Sequence, residues 1–112
     1  EIMYGATVSG MIESQQPVEE YVFFGQQGDT ITIGMERASG DLDSLITLYD
    51  SRRKQIAFND DEGDTQNALL RNFVLPRDDM YILVASRYQR EAGTTSGAYV
   101  LTLELVRAGN RN

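Results

Sequence analysis

Apolar residues recur at every second position through most of the chain, the period of strands that bury one face. ATVSGMIE, residues 6–13, places Val8 and Ile12 on one side. VEEYVFFG, residues 18–25, sets Tyr21 and Phe23 against Val22 and Phe24. TITIGME, residues 30–36, alternates through Ile31, Ile33 and Met35. LITLYD, residues 45–50, opposes Ile46 and Leu48 to Leu45, Thr47 and Tyr49. Shorter or denser runs follow at 55–59, 68–75 and 80–86. AYVLTLELV, residues 98–106, then gives Tyr99, Leu101, Leu103 and Leu105 one face and Thr102 and Glu104 the other. Turn formers separate these runs at QQGD (26–29), ASGD (38–41), DSRRK (50–54), PRDD (76–79) and GTTSG (93–97). No segment keeps a helical stripe; ALLRNFVL (68–75) comes nearest, but it is short and stopped by Pro76. About eight short strands at this spacing predict an all-β, antiparallel sandwich or barrel. No repeat, linker or low-complexity tract divides the chain. The reading is one domain, 1–112, with a core over 9–106, an N-terminal strand or arm over 1–8 and a frayed tail over 107–112.

Composition narrows the function. The 112 residues suffice for one domain with a real core. A net charge of −7 disfavours nucleic acid and anionic membrane surfaces and favours a cation. Cysteine and histidine are both absent, which removes disulfides, thiolate sites, a Ser-His-Asp triad and the usual zinc ligands. The single lysine, Lys54, sits beside Arg52 and Arg53 in a turn and makes a poor buried nucleophile. No apolar run is long enough to span a bilayer. The chain opens at Glu1 without an initiator Met, as a processed or excised piece would. These features predict a noncatalytic protein.

Two acidic knots stand out: SGDLDS, with Asp41 and Asp43, and FNDDEGD, with Asn59, Asp60, Asp61, Glu62 and Asp64. If Ser51–Lys54 form the turn, Asp50 lies opposite Gln55, and an antiparallel pair then puts Asp43 opposite Glu62 and Asp41 opposite Asp64. A slip of a residue or two brings Asp43 beside Asp60 or Asp61. Either register gathers both knots at one end of the sheet. Such a rim suits a hard cation with oxygen ligands, calcium above all. The alternative is that these side chains only cap backbone N–H groups in turns. The spacing is not that of an EF-hand. A glycosidase pair is disfavoured because no apolar pocket surrounds the acids.

The ordered set YVFFGQQGDTITIGME, SGDLDSLITLYD, QIAFNDD, FVLPRDDMYILVASR and SGAYVLTLEL resembles the bacterial pre-peptidase C-terminal domain family over roughly residues 9–106. The resemblance implies a jelly-roll β-sandwich, similar in fold to the collagen-binding domains of clostridial collagenases. It also implies a noncatalytic, secreted or cell-surface module of an exported bacterial protein. Calcium would then be held at acidic loops by Asp41, Asp43, Asn59, Asp60, Asp61 and Asp64, with Asp43 and Asp60 foremost. Partners would be an extracellular polymer or protein matrix, or other domains of the parent. Two positions depart from the pattern. Lys54 stands where a turn glycine is common, so positive φ is expected there, and Asp79–Met80 replace the glycine expected before the Tyr81 strand.

Exposed tyrosines stack on sugars and peptides, so Tyr4, Tyr49, Tyr88 and Tyr99 are weighed as a platform. Tyr81 and Tyr99 alternate with core positions and read as core. Tyr88, in RYQREAGTTS, is the best exposed candidate. The basic turn reads as a solvated hairpin tip, or as a contact for an acidic rim on another copy. EIMYGAT is expected to pair with an open sheet edge, in its own domain or in another subunit. A self-associating filament or surface layer is therefore the alternative function.

Overall fold

The computed structural model describes residues 1–60 and 67–109. Its strands are β1 Thr7–Ile12, β2 Val18–Gly25, β3 Thr30–Arg37, β4 Ser44–Tyr49, β5 Gln55–Asn59, β6 Ala68–Val74, β7 Asp79–Arg87 and β8 Gly97–Arg107. A 3₁₀ turn, Arg90–Ala92, interrupts the β7–β8 connection. One sheet has the order β1-β8-β3-β6 and the other β2-β7-β4-β5. The antiparallel pairs β1·β8, β2·β7, β3·β6 and β4·β5 alternate between the sheets, as if one long hairpin had been rolled up. This is the predicted jelly-roll sandwich, which leaves only short edges.

Alternation assigns the faces as predicted. Ile12, Phe23, Ile31, Ile33, Met35, Ile46, Leu48, Tyr81, Leu83, Tyr99, Leu101 and Leu103 meet between the sheets and are buried. Phe23 and Tyr81 stack with ring centroids 5.6 Å apart. A polar cluster sits among them. Tyr99 donates its hydroxyl to Glu19, and Tyr21 and Tyr99 share a hydrogen bond of 2.7 Å. Burial first, then these two hydrogen bonds, pushes the Tyr99 hydroxyl pKa up. Gly10 of β1 lies over the pair, where any Cβ would collide with the Tyr99 hydroxyl and the Glu19 carboxylate.

The β4–β5 hairpin keeps the predicted register in its body: Leu48 pairs with Ala57, Thr47 with Phe58 and Ile46 with Asn59. At the turn it departs. Tyr49, not Asp50, faces Gln55, because a bulge intervenes. Asp50 is buried and organises the turn instead. Its Oδ1 accepts the N–H groups of Arg52 and Lys54, both at 2.9 Å, and its carbonyl accepts the N–H of Arg53 at 3.0 Å. The positive φ expected at Lys54 therefore falls on Arg53, at 64°. Asp79 accounts for the other departure: its carboxylate accepts the Ser51 N–H at 3.1 Å and the Met80 N–H at 2.9 Å, tying the start of β7 to this turn.

The N-terminal arm pairs within its own chain. Ile2 donates to the Val22 carbonyl of edge strand β2 at 2.8 Å, and Tyr4 donates to the buried carboxylate of Asp29 at 2.6 Å. A turn closed by Ala6 N–H to the Met3 carbonyl, with Gly5 at φ 89°, carries the arm from β1 across to β2. Asp29 also accepts the Gly109 N–H at 2.8 Å, so both chain ends are fastened to one carboxylate.

Candidate functional site

The acidic loop 38–43 and the β7–β8 connection 88–96 are built against each other. Asp41 donates its N–H to the Ser96 carbonyl and accepts the Ser96 N–H on Oδ1, each at 3.0 Å. Asp43 donates its N–H to Thr95 Oγ1 at 3.0 Å, and its carbonyl accepts the Tyr88 N–H at 2.9 Å. The two backbones touch at Gly40 and Gly97, where a Cβ on either would collide with a carbonyl of the other loop.

Arg87 templates the second loop. It is 1% exposed at the end of β7, donating from Nε to the Arg90 carbonyl at 2.7 Å and from Nη1 to the Thr95 carbonyl at 2.9 Å. Around it Gln89 and Arg90 both take positive φ, 65° and 48°. Each such residue costs on the order of 1–3 kcal/mol and persists only where neighbours over-determine it. Here the Arg87 guanidinium and the Gly93 N–H, 3.0 Å from the Arg90 carbonyl, supply that constraint.

This strained corner presents Tyr88 and Arg90 over the outer face of the β4–β5 hairpin. Together with Leu45, Thr47, Tyr49, Gln55, Phe58, Asp60 and Gln89 they line an open groove of about 410 Å³. Phe58 is 59% exposed and Tyr88 51% exposed, so two large rings face water. Arg90 crosses the floor, donating from Nη2 to Thr47 Oγ1 at 2.7 Å and to the Tyr49 hydroxyl at 2.9 Å. From the β4–β5 turn, Arg53 reaches to Glu20 of β2 through two hydrogen bonds of 3.1 Å. That pair holds the Glu20 carboxyl below its usual range, the Arg53 hydrogen bond being the largest cause. The basic turn is thus partly spoken for within the chain.

The tyrosines considered together separate. Tyr49 and Tyr88 share the groove. Tyr99 is in the core, and Tyr4 packs near Phe23, its ring centroid 6.2 Å away. The sequence did not single out Phe58, Arg87 or Arg90. A strand aromatic whose neighbours Ala57 and Asn59 are small was the one available signal for Phe58.

The predicted calcium ligands divide as well. Asp41 is exposed, while Asp43, Asn59 and Asp60 are half-buried. Asn59 Oδ1 accepts the Leu69 N–H at 3.2 Å, bridging β5 to β6 of the other sheet. Asp61 and Asp64 lie outside the described residues, as does Glu62, the predicted partner of Asp43. Among the described residues no three acidic side chains gather closely enough to hold a metal. Their oxygen chemistry suits calcium, and Ser44 Oγ, next to Asp43 in the chain, is a buried hydroxyl with no hydrogen-bond partner among the described residues. No helix among the described residues is long and apolar enough to cross a membrane.

No family model matches the chain, and no curated protein sequence matches it. Solved structures do. The pre-peptidase C-terminal domain of a collagenase from Bacillus anthracis superposes with a TM-score of 0.74 at 16% identity, over 92% of this chain and 91% of that one. PliG of Aeromonas hydrophila, a periplasmic inhibitor of g-type lysozyme, superposes with a TM-score of 0.60 at 13% identity, over 90% and 87%. The ordered segments that resemble the pre-peptidase C-terminal family thus fold as such a domain does, and the chain has that domain's fold.

Proposed function

We propose that the protein is a noncatalytic binding module of an exported bacterial protein, attaching through the Phe58–Tyr88 groove to an extracellular protein or polymer. The observation that carries this is the groove itself. A sheet face that presents two large exposed rings beside a strained loop is a surface suited to meeting a partner. The similar structures support the setting, one belonging to a collagenase and the other acting on a lysozyme in the periplasm. The absence of histidine and cysteine from the sequence supports a role without catalysis. The test is capture on immobilised collagen, peptidoglycan and g-type lysozyme. A Phe58→Ala, Tyr88→Ala variant should bind whichever captures the parent at least about tenfold more weakly, with its unfolding midpoint preserved. Equal capture of both proteins, or capture of the parent on none, would remove the reading.

Calcium is proposed as the stabiliser of the acidic loops, held by Asp41, Asp43 and Asp60 with Asn59, Asp61 and Asp64. An ion there would neutralise charge at the loops on which the Tyr88 corner rests. With an affinity of about 10⁻⁴ M, millimolar calcium should add roughly 1.5–2 kcal/mol over EDTA. The gain should be visible in thermal unfolding and absent from an Asp43→Ala, Asp60→Ala variant. Identical midpoints in calcium and EDTA would return the acids to turn capping.

A further inference from the structure

We infer that the groove takes an acidic polypeptide segment, with Arg90 pairing to a partner carboxylate between the rings of Phe58 and Tyr88. This rests on the groove being the binding site and names the chemistry of what enters it. In a chain of net charge −7, a half-buried guanidinium finds carboxylates easily. Arg53 pairs with Glu20, and Arg77 pairs with Asp50 at 2.9 Å. Among the described residues Arg90 does not follow them. Its hydrogen bonds go to two neutral hydroxyls, and both leave from Nη2. Among the described residues, Nε and Nη1 meet no protein acceptor. Asp60 lines the same groove without forming an ion pair with Arg90 among the described residues.

A guanidinium has five donors arranged as a fork that matches a carboxylate edge. Thr47 and Tyr49 fix one corner of the fork and leave its other donors for a ligand. The Arg87 contact to the Arg90 carbonyl holds the backbone from beneath, so the cation is set in place before a ligand arrives. The flanking rings favour apolar neighbours on either side of the acidic residue. A polypeptide fits this arrangement, because the groove lies over the outer face of β4 and β5, at the edge of the sheet, where an extended segment can lie along the strands. Asp60 is the carboxylate among the described groove residues; the protein's acidic charges beyond about 8 Å are screened at physiological salt. The charge-assisted contact at Arg90 is direct.

The experiment is a titration of the ¹⁵N-labelled full chain, followed by amide shifts, with three probes. These are acetyl-Leu-Glu-Leu-Glu-Leu-amide, the same peptide with Gln for Glu, and chitohexaose. The acidic peptide is expected to move the amides of Thr47, Tyr49, Phe58, Tyr88 and Arg90. Its affinity should fall about tenfold or more with the Gln peptide, with Arg90→Gln, and on raising salt from about 0.05 to about 0.5 M. Arg90→Lys, which keeps the charge but not the fork, should fall between. Equal binding of the two peptides, or an affinity unchanged by Arg90→Gln, would overturn the proposal. So would chitohexaose moving these amides in place of the peptide. If no probe moves them while the Phe58→Ala, Tyr88→Ala variant still loses matrix capture, the anionic chemistry is wrong and the groove stands. If that variant keeps capture, the groove itself is wrong.

Discussion

Gly10 and Arg87 show how single positions set what this sandwich can do. Gly10 has no room for a side chain because the Tyr99 hydroxyl and Glu19 occupy the space above it. Gly10→Ala should therefore cost about 1–3 kcal/mol in urea unfolding by overpacking. Tyr99→Phe removes one of the three atoms in the way, so its cost should be smaller in the Gly10→Ala background than in the parent; an equal cost in both would refute the clash. Arg87 is the converse case, a cation buried to hold other atoms. Among the described residues its acceptors are two backbone carbonyls, so its worth lies in fixing the Arg90 and Thr95 backbone. Neither role is written in the local sequence. Gly10 reads as a weak spot in a strand, and Arg87 as the polar end of MYILVASR.

At the scale of elements, the β4–β5 turn carries the acid sensitivity. Asp50 is held below its usual pKa, first by the Lys54 N–H, then by Arg52 and Arg77. Asp79 is held down first by Ser51, and Glu20 first by Arg53. A carboxylate whose native pKa lies below its unfolded value, about 3.9 for Asp and 4.3 for Glu, stabilises the fold at any pH above that value. The contribution is lost as pH falls through the lowered native pKa. Stability should thus be level from neutral pH to about 5 and decline below about 4. Asp50→Asn should flatten that decline in a series of thermal melts; an unchanged slope would place the acid sensitivity elsewhere. The exposed Arg53–Glu20 pair adds little and should weaken with salt. The same turn shows the limit of pairing arithmetic. The register of 46–48 against 57–59 follows from alternation, but the bulge follows from Asp50 turning inward to bind backbone N–H groups.

For the whole molecule, the rolled topology brings both chain ends to Asp29, and the arm covers the β2 edge. Deleting residues 1–5 removes the Ile2–Val22 and Tyr4–Asp29 contacts and uncovers that edge. The truncated protein is expected to melt several degrees lower and to associate with rising concentration in gel filtration. An unchanged midpoint and an unchanged elution volume would show that the arm protects nothing. Self-association, the alternative to a binding module, would then have to use the β1, β5 or β6 edge, and β5 already bridges to β6 through Asn59 and Leu69.

Alternation along the chain was enough for the eight strands and the faces they bury, and the resemblance to the pre-peptidase C-terminal family chose the jelly-roll sandwich over a barrel. Period-two alternation records which side of each strand leaves water, and that is a local property. It also placed Tyr81 and Tyr99 in the core and found Tyr88 exposed. Only the tertiary structure decided that Tyr49, Phe58, Tyr88 and Arg90 share one groove, since these residues come from β4, β5 and the β7–β8 loop, and rolling the sheet brings them together. It also decided that Asp29 and Asp50, read as turn residues, are buried organisers. Whether an Asp caps a neighbour, clasps a distant strand or faces solvent depends on which N–H groups the fold leaves within about 3 Å of it, and no local pattern of residues encodes that.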